Sequence, residues 1–152
     1  MGYTIYMSLS NNKVKKNTAS NISRWKATCE LIQLAWKKIP AKYKDDEDSS
    51  YDIKYHGVAD GAGRGVPDIT DYHICFNGKA SWGDDHESFY FGAFEKVEGL
   101  NSFCKTARNG YTMAVMIAIL CIQKYFNPDL KYSSDGGDKA AWAKAREIVS
   151  KL

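Results

Sequence analysis

The sequence has no C-x-x-C pair, no apolar run of membrane length, no large excess of either charge and no familiar nucleophile or nucleotide motif. Each shortage excludes something. A net charge of +3 over 152 residues is too small for the concentrated basic face that nucleic-acid binding uses, so no specific DNA binding is expected. The four cysteines, Cys29, Cys75, Cys104 and Cys121, stand apart in apolar surroundings. Free buried thiols in a reducing compartment explain them better than a disulfide framework or a zinc site. The longest apolar run, Met113 to Ile122, is far short of the roughly 20 residues that span a bilayer. The N-terminus lacks the basic-then-apolar pattern of a signal peptide. A soluble, cytoplasmic protein with no membrane partner is expected.

What is present is a globular composition, 44% hydrophobic and 26% charged, with an aromatic content of 13%. Ten tyrosines against six phenylalanines point to half-buried rings with wet ends. A chain of this length buries most of its unfolded surface as one domain, and neither a linker nor an internal repeat divides residues 1–152.

The patterning predicts a strand over Tyr3–Leu9, then a helix from Thr18 to Ile39 with Ile22, Trp25, Cys29, Ile32 and Trp36 on one stripe. Leu31, Leu34 and Ala35 widen that stripe, and Pro40 ends the helix. After an acidic loop at residues 44–50, strands are expected over 51–58, 71–76, 88–94 and 102–106, with Asn77-Gly78 as a hairpin turn. A helix apolar nearly all round is expected from Gly110 to Phe126, sandwiched rather than lying on the surface. A short strand near 130–133, a turn at 135–138 and a last helix with Trp142, Ala145, Val149 and Leu152 on one face complete the chain. This order predicts an α+β domain: a mostly antiparallel sheet of five to six strands with three helices mainly on one face.

Three constellations could carry chemistry. The stretch Phe103-Cys104-Lys105-Thr106-Ala107-Arg108 runs into the central helix, whose first amides lack intrahelical partners and whose dipole favours an anion. Lys105, Thr106 and Arg108 could therefore hold a phosphate or carboxylate, or the two cations could simply pair with acidic loops. The loop Gly61-Ala62-Gly63-Arg64-Gly65 could cradle an anion in its amides, with Arg64 closing over it. It fails the Rossmann and P-loop context because Pro67 and Asp68, not a helix, follow. The cluster Asp84-Asp85-His86-Glu87, with His56 and His73 elsewhere, lacks metal spacing, and strand register points His86 and Glu87 apart. No metal and no cofactor is implied. Cys104 is the cysteine nearest cations that could lower its pKa, although a buried thiol explains it as well. Trp82, Tyr72, Tyr90, Phe91 and Tyr111 fall near the same loops and could stack on a base, or merely fill sheet faces.

The segments Phe76-Asn77-Gly78, His86-Glu87-Ser88-Phe89, Phe103 to Arg108 and Ser133-Ser134-Asp135-Gly136 together resemble a family of small, uncharacterised phage and bacterial proteins, over roughly the second half of the chain. The family pattern tends to continue Arg-x-Pro-Tyr-Asp, where this chain has Arg108-Asn109-Gly110-Tyr111-Thr112. Gly110 thus replaces a first-turn proline and makes the helix start less rigid. The resemblance implies a phage or mobile-element setting and no known activity; small phage proteins of this kind commonly block host defences by binding.

The sequence therefore leads to a non-enzymatic, phage-type binding protein that sequesters a small anionic, nucleotide-derived ligand. Lys105, Thr106, Arg108, Arg64, Tyr111, His86 and Trp82 are the expected ligand contacts, with no catalytic residue among them. Homo-oligomers with pockets shared between chains fit that role. The alternatives are an inhibitor that masks a host defence protein with its tyrosine-rich surface, and a small hydrolase using His86 or His73 as base.

Overall fold

The structure, a computed structural model, describes residues 3–44, 52–135 and 139–152. The acidic run 45–50, the expected strand start at Tyr51 and the turn residues 136–138 lie outside them. The described elements are β1 (Thr4–Ser8), α1 (Ala19–Trp36), β2 (Lys42–Tyr43), β3 (Ile53–Lys54), β4 (Val58–Ala59), β5 (Asp68–Ile69), β6 (His73–Gly78), β7 (Phe89–Gly92), β8 (Phe103–Lys105), α2 (Thr112–Tyr125), β9 (Lys131–Ser134) and α3 (Lys139–Ser150). The fold is α+β in one domain, with every strand pairing antiparallel. No helix among the described residues is long and apolar enough to cross a membrane.

The strands divide among three sheets rather than one. β1 is the middle strand of the first, between β8 and β9. β6 organises the largest, with β5 and β7 flanking it through Cys75 and β4 pairing with its last two residues. β2 and β3 form a short pair of their own. The expected strand over 51–58 is broken at Gly57, whose φ of +91° is open to glycine and strained for other residues. The two larger sheets meet where the Glu87 amide donates to the Lys105 carbonyl at 3.2 Å.

α1 begins at Thr18, whose hydroxyl accepts from the Asn21 amide at 3.1 Å, a standard N-cap. Trp25, Cys29, Ile32, Ala35 and Trp36 are buried along it, but Leu34 is half exposed and does not widen the stripe. Trp25 packs on Phe91 and Phe126, and Trp36 edge-on to Phe76, with centroids 4.7–5.6 Å apart. Both indole N–H groups are satisfied, by the Thr70 and Ala114 carbonyls at 3.0 Å. α2 is buried at every residue from Thr112 to Ile122 and packs against both α1 and α3, as an all-round apolar helix should.

Candidate functional site

The mouth of α2 is closed from inside. The Tyr43 hydroxyl accepts from the Met113 amide at 3.1 Å and donates to the Gly110 carbonyl at 2.8 Å. The Thr112 amide and hydroxyl both donate to the Asn109 carbonyl. Thr106 is fully buried, its hydroxyl hydrogen-bonded to that of Thr112 at 2.8 Å. Gly110 is no loose start: a Cβ there would come within 2.1 Å of the Lys54 carbonyl oxygen, so only glycine lets the two backbones approach.

A carboxylate does sit at this helix start, and it belongs to the chain. Asp84 Oδ2 lies 3.1 Å from where a Gly110 Cβ would be. It is buried with no hydrogen-bond donor among the described residues, and His56 Nε2 is 3.9 Å away. Burial pushes the Asp84 carboxyl upward; His56 and the nearby Gly110 backbone oppose the rise without closing a hydrogen bond on Oδ2, and Asp85 adds to it.

The glycine-rich loop repeats the pattern. Asp60 Oδ1 accepts from the Ala62 amide at 2.9 Å and the Arg64 amide at 3.0 Å, and the Asp60 carbonyl takes the Gly63 amide. The cradle is filled by its own aspartate. The loop is also tied down, because the Asp60 amide donates to Arg64 and the Ala80 amide to Gly63.

The seven expected contacts therefore do not converge. Thr106 faces inward. Tyr111 is fully buried, and its hydroxyl donates to the carbonyls of Glu87 at 2.6 Å and Lys105 at 3.3 Å, so its ring braces the fold and offers no open face for stacking. Arg108 lies over the Tyr3 ring, 4.7 Å from its centroid. Ala107 and Arg108 both have left-handed backbones, φ 53° and 59°, each costing about 1 kcal/mol outside glycine, and their strain turns the chain from β8 towards α2. Arg64 lines another groove, and Trp82 is an exposed ring that follows Ser81 of its lining. His86 and Lys105 share a cavity.

That cavity is a cleft of about 750 Å³ where the two larger sheets meet. Its floor is the outer face of β6 and β7, with Cys75, Ser88 and Tyr90; its wall carries Leu100, Phe103 and Lys105. The alternation that buries Ile74, Phe76, Phe89 and Phe91 turns these residues outward. His86 is the best-positioned group in it. Its Nδ1 lies 2.7 Å from the Lys105 carbonyl, an atom that can only accept, so Nδ1 donates there and Nε2 is left for a ligand, as an acceptor in the neutral ring and as a donor to an anion in the imidazolium. Behind it, Asn77 is not a hairpin turn but a buried residue of β6. Its side chain takes the amides of Gly78 and His86 and donates to the carbonyls of Gly61 and His86. Glu87 Oε1 accepts from the Lys105 amide at 3.2 Å, and the Lys105 ammonium stands 6.0 Å from the Phe103 centroid.

The thiols are held towards the protonated form. All four cysteines are free. Burial pushes Cys29, Cys104 and Cys121 up to about 12. Cys75, in the cleft, is also raised by burial and by Asp68 and Asp60, with a hydrogen bond to Ser88 opposing. Protonated thiols are poor nucleophiles. His73 has Nε2 on Asp68 at 2.9 Å and Nδ1 near the Thr70 hydroxyl at 3.4 Å, which engages both ring nitrogens. Among the described residues no three His, Cys, Asp or Glu side chains are placed to hold a metal ion.

Sequence reasoning missed Asn77, Tyr43 and the two inward aspartates. Asp60 had a local signal, an aspartate two and four residues before the amides it takes; nothing local marks Tyr43 or Asp84, because the groups they meet at Gly110 and Met113 are far away in sequence. The motif segments 76–78, 86–89 and 103–106 do come together, through Asn77, His86 and Lys105. Comparison with protein-family models, with curated proteins and with solved structures finds no match to this chain.

Proposed function

We propose that this protein binds a small anionic ligand without turning it over, in the cleft that His86 and Lys105 share. The observation that carries this reading is the fixed His86 ring. Its back nitrogen is spent on a backbone carbonyl, its front nitrogen is open, and a lysine ammonium belongs to the same cavity. Such preorganised polar groups beside apolar walls (here Leu100 and Phe103) are how small-molecule sites obtain orientation and affinity. Glu87 also lines the cleft, and its bond to the Lys105 amide offsets part of its charge. The raised thiols favour holding over hydrolysis. In the phage setting that the sequence resembles, a nucleotide-derived signal would be sequestered.

Thermal shift against inorganic phosphate, dicarboxylates and linear and cyclic nucleotides tests this. A ligand at 100 times its Kd adds roughly 2.7 kcal/mol to stability, a shift that His86→Gln with Lys105→Gln should diminish. Intact ligand recovered after denaturing the protein would separate binding from turnover. A full shift retained in the double variant would exclude this cleft.

A further inference from the structure

A second groove, of about 560 Å³, runs between the glycine-rich loop and the turn at Ala80–Trp82, lined by Arg64, Lys79, Ala80 and Ser81. It holds two cations, and among the described residues neither Arg64 nor Lys79 pairs with a carboxylate. Asp60 is the nearest acidic group in the loop, and its Oδ1 is already committed to two backbone amides.

Trp82 follows Ser81 directly and is 63% exposed, whereas Trp25, Trp36 and Trp142 are buried. One face of its indole is backed by His56, parallel within 3° at a centroid separation of 4.3 Å. An exposed tryptophan normally loses orientation; this one is held flat with its other face outward. The Lys79 ammonium reaches the same place, 3.2 Å from where a Cβ of Gly57 would be, and Gly57 adjoins His56. Two unpaired cations and a backed aromatic plate thus stand side by side.

We propose that this groove is a nucleotide site: Arg64 and Lys79 take a phosphate, and the open face of Trp82 takes the base. Guanidinium and ammonium groups grip phosphate oxygens by charge-assisted bonds, and stacking on an indole accepts any base. The site stands independently of the His86 cleft.

Trp82 gives it a private signal, because the other three tryptophans are inside. Nucleoside monophosphate, ribose 5-phosphate and inorganic phosphate are each titrated into the full chain, following tryptophan emission and iodide quenching. The nucleoside monophosphate should quench saturably and shield the indole from iodide, ribose 5-phosphate should bind more weakly without shielding, and Trp82→Phe should abolish the signal. Arg64→Gln with Lys79→Gln should weaken affinity about tenfold or more. Both residues are at the surface, and circular dichroism confirms folding. Absence of saturable quenching in the folded wild type, or undiminished affinity in the Arg64/Lys79 variant, overturns the proposal.

Discussion

The cleft around His86 takes part of its wall from β8, the mouth of α2 follows β8 in the chain, and the two differ completely in what they leave open. At the mouth, Tyr43 and Thr112 occupy the polar groups, and Asp84 and the backbone of Lys54 occupy the space. In the cleft, the polar groups are held from behind and left open in front: Asn77 fixes the backbone of His86, and the Lys105 carbonyl fixes its ring. Burial makes the difference. A buried helix start cannot leave amides unpaired at roughly 1–3 kcal/mol each, so the fold supplies partners. A surface cleft has no such obligation.

The comparison breaks most sharply at Gly110. Gly110→Ala should cost about 3 kcal/mol, at the upper end of overpacking, because backbone and not a flexible side chain opposes the new methyl. Urea unfolding would measure it, and a loss below about 1 kcal/mol would mean that the mouth is not closed as described. Asn77→Ala should cost about 2–3 kcal/mol by orphaning the Gly78 and His86 amides; it should also free the His86 segment, seen as faster amide exchange at residues 84–88. Tyr43→Phe should cost about 1–2 kcal/mol, since the Met113 amide and Gly110 carbonyl lose a shared partner, with no change in the cleft. An equal effect on ligand binding there would show the two regions to be coupled.

The smallest effect concerns pH. The Asp84 carboxyl is raised in the folded state above its ordinary 3.8, so the folded form binds that proton more tightly than the unfolded form. Stability should therefore rise as pH falls through the raised value, the gain being complete below 3.8. Asp84→Asn should lack that component and be at least as stable near neutrality. A variant whose stability follows the wild-type pH curve in shape would place the charge elsewhere.

The helices were legible because their signals are local: a stripe at three and four, and a helix apolar on all sides. The α+β class followed from the order of elements. The sheet was less legible, because pairing is decided between distant segments; nothing near Phe76-Asn77-Gly78 says that Asn77 will be buried under residue 86. The site reading had the same limit. The start of α2 and the glycine loop were read as open to an anion, but Tyr43, which takes the Met113 amide, is visible only once the chain is folded, and Asp60 fills the loop from within it. His86 and Lys105 were named for different reasons, and tertiary structure made them neighbours.

The central position of β1 has a kinetic meaning. Its partners are Phe103–Lys105 on one side and Lys131–Ser134 on the other, and the Asp135 carboxylate takes the Thr4 amide at 3.0 Å. Closing loops of that length is entropically expensive before any contact rewards it. Until residue 135 arrives, β1 is a strand with bare edges, the form in which chains associate wrongly. Refolding should therefore be slow for a chain of this size, and its losses to aggregation should rise steeply with concentration.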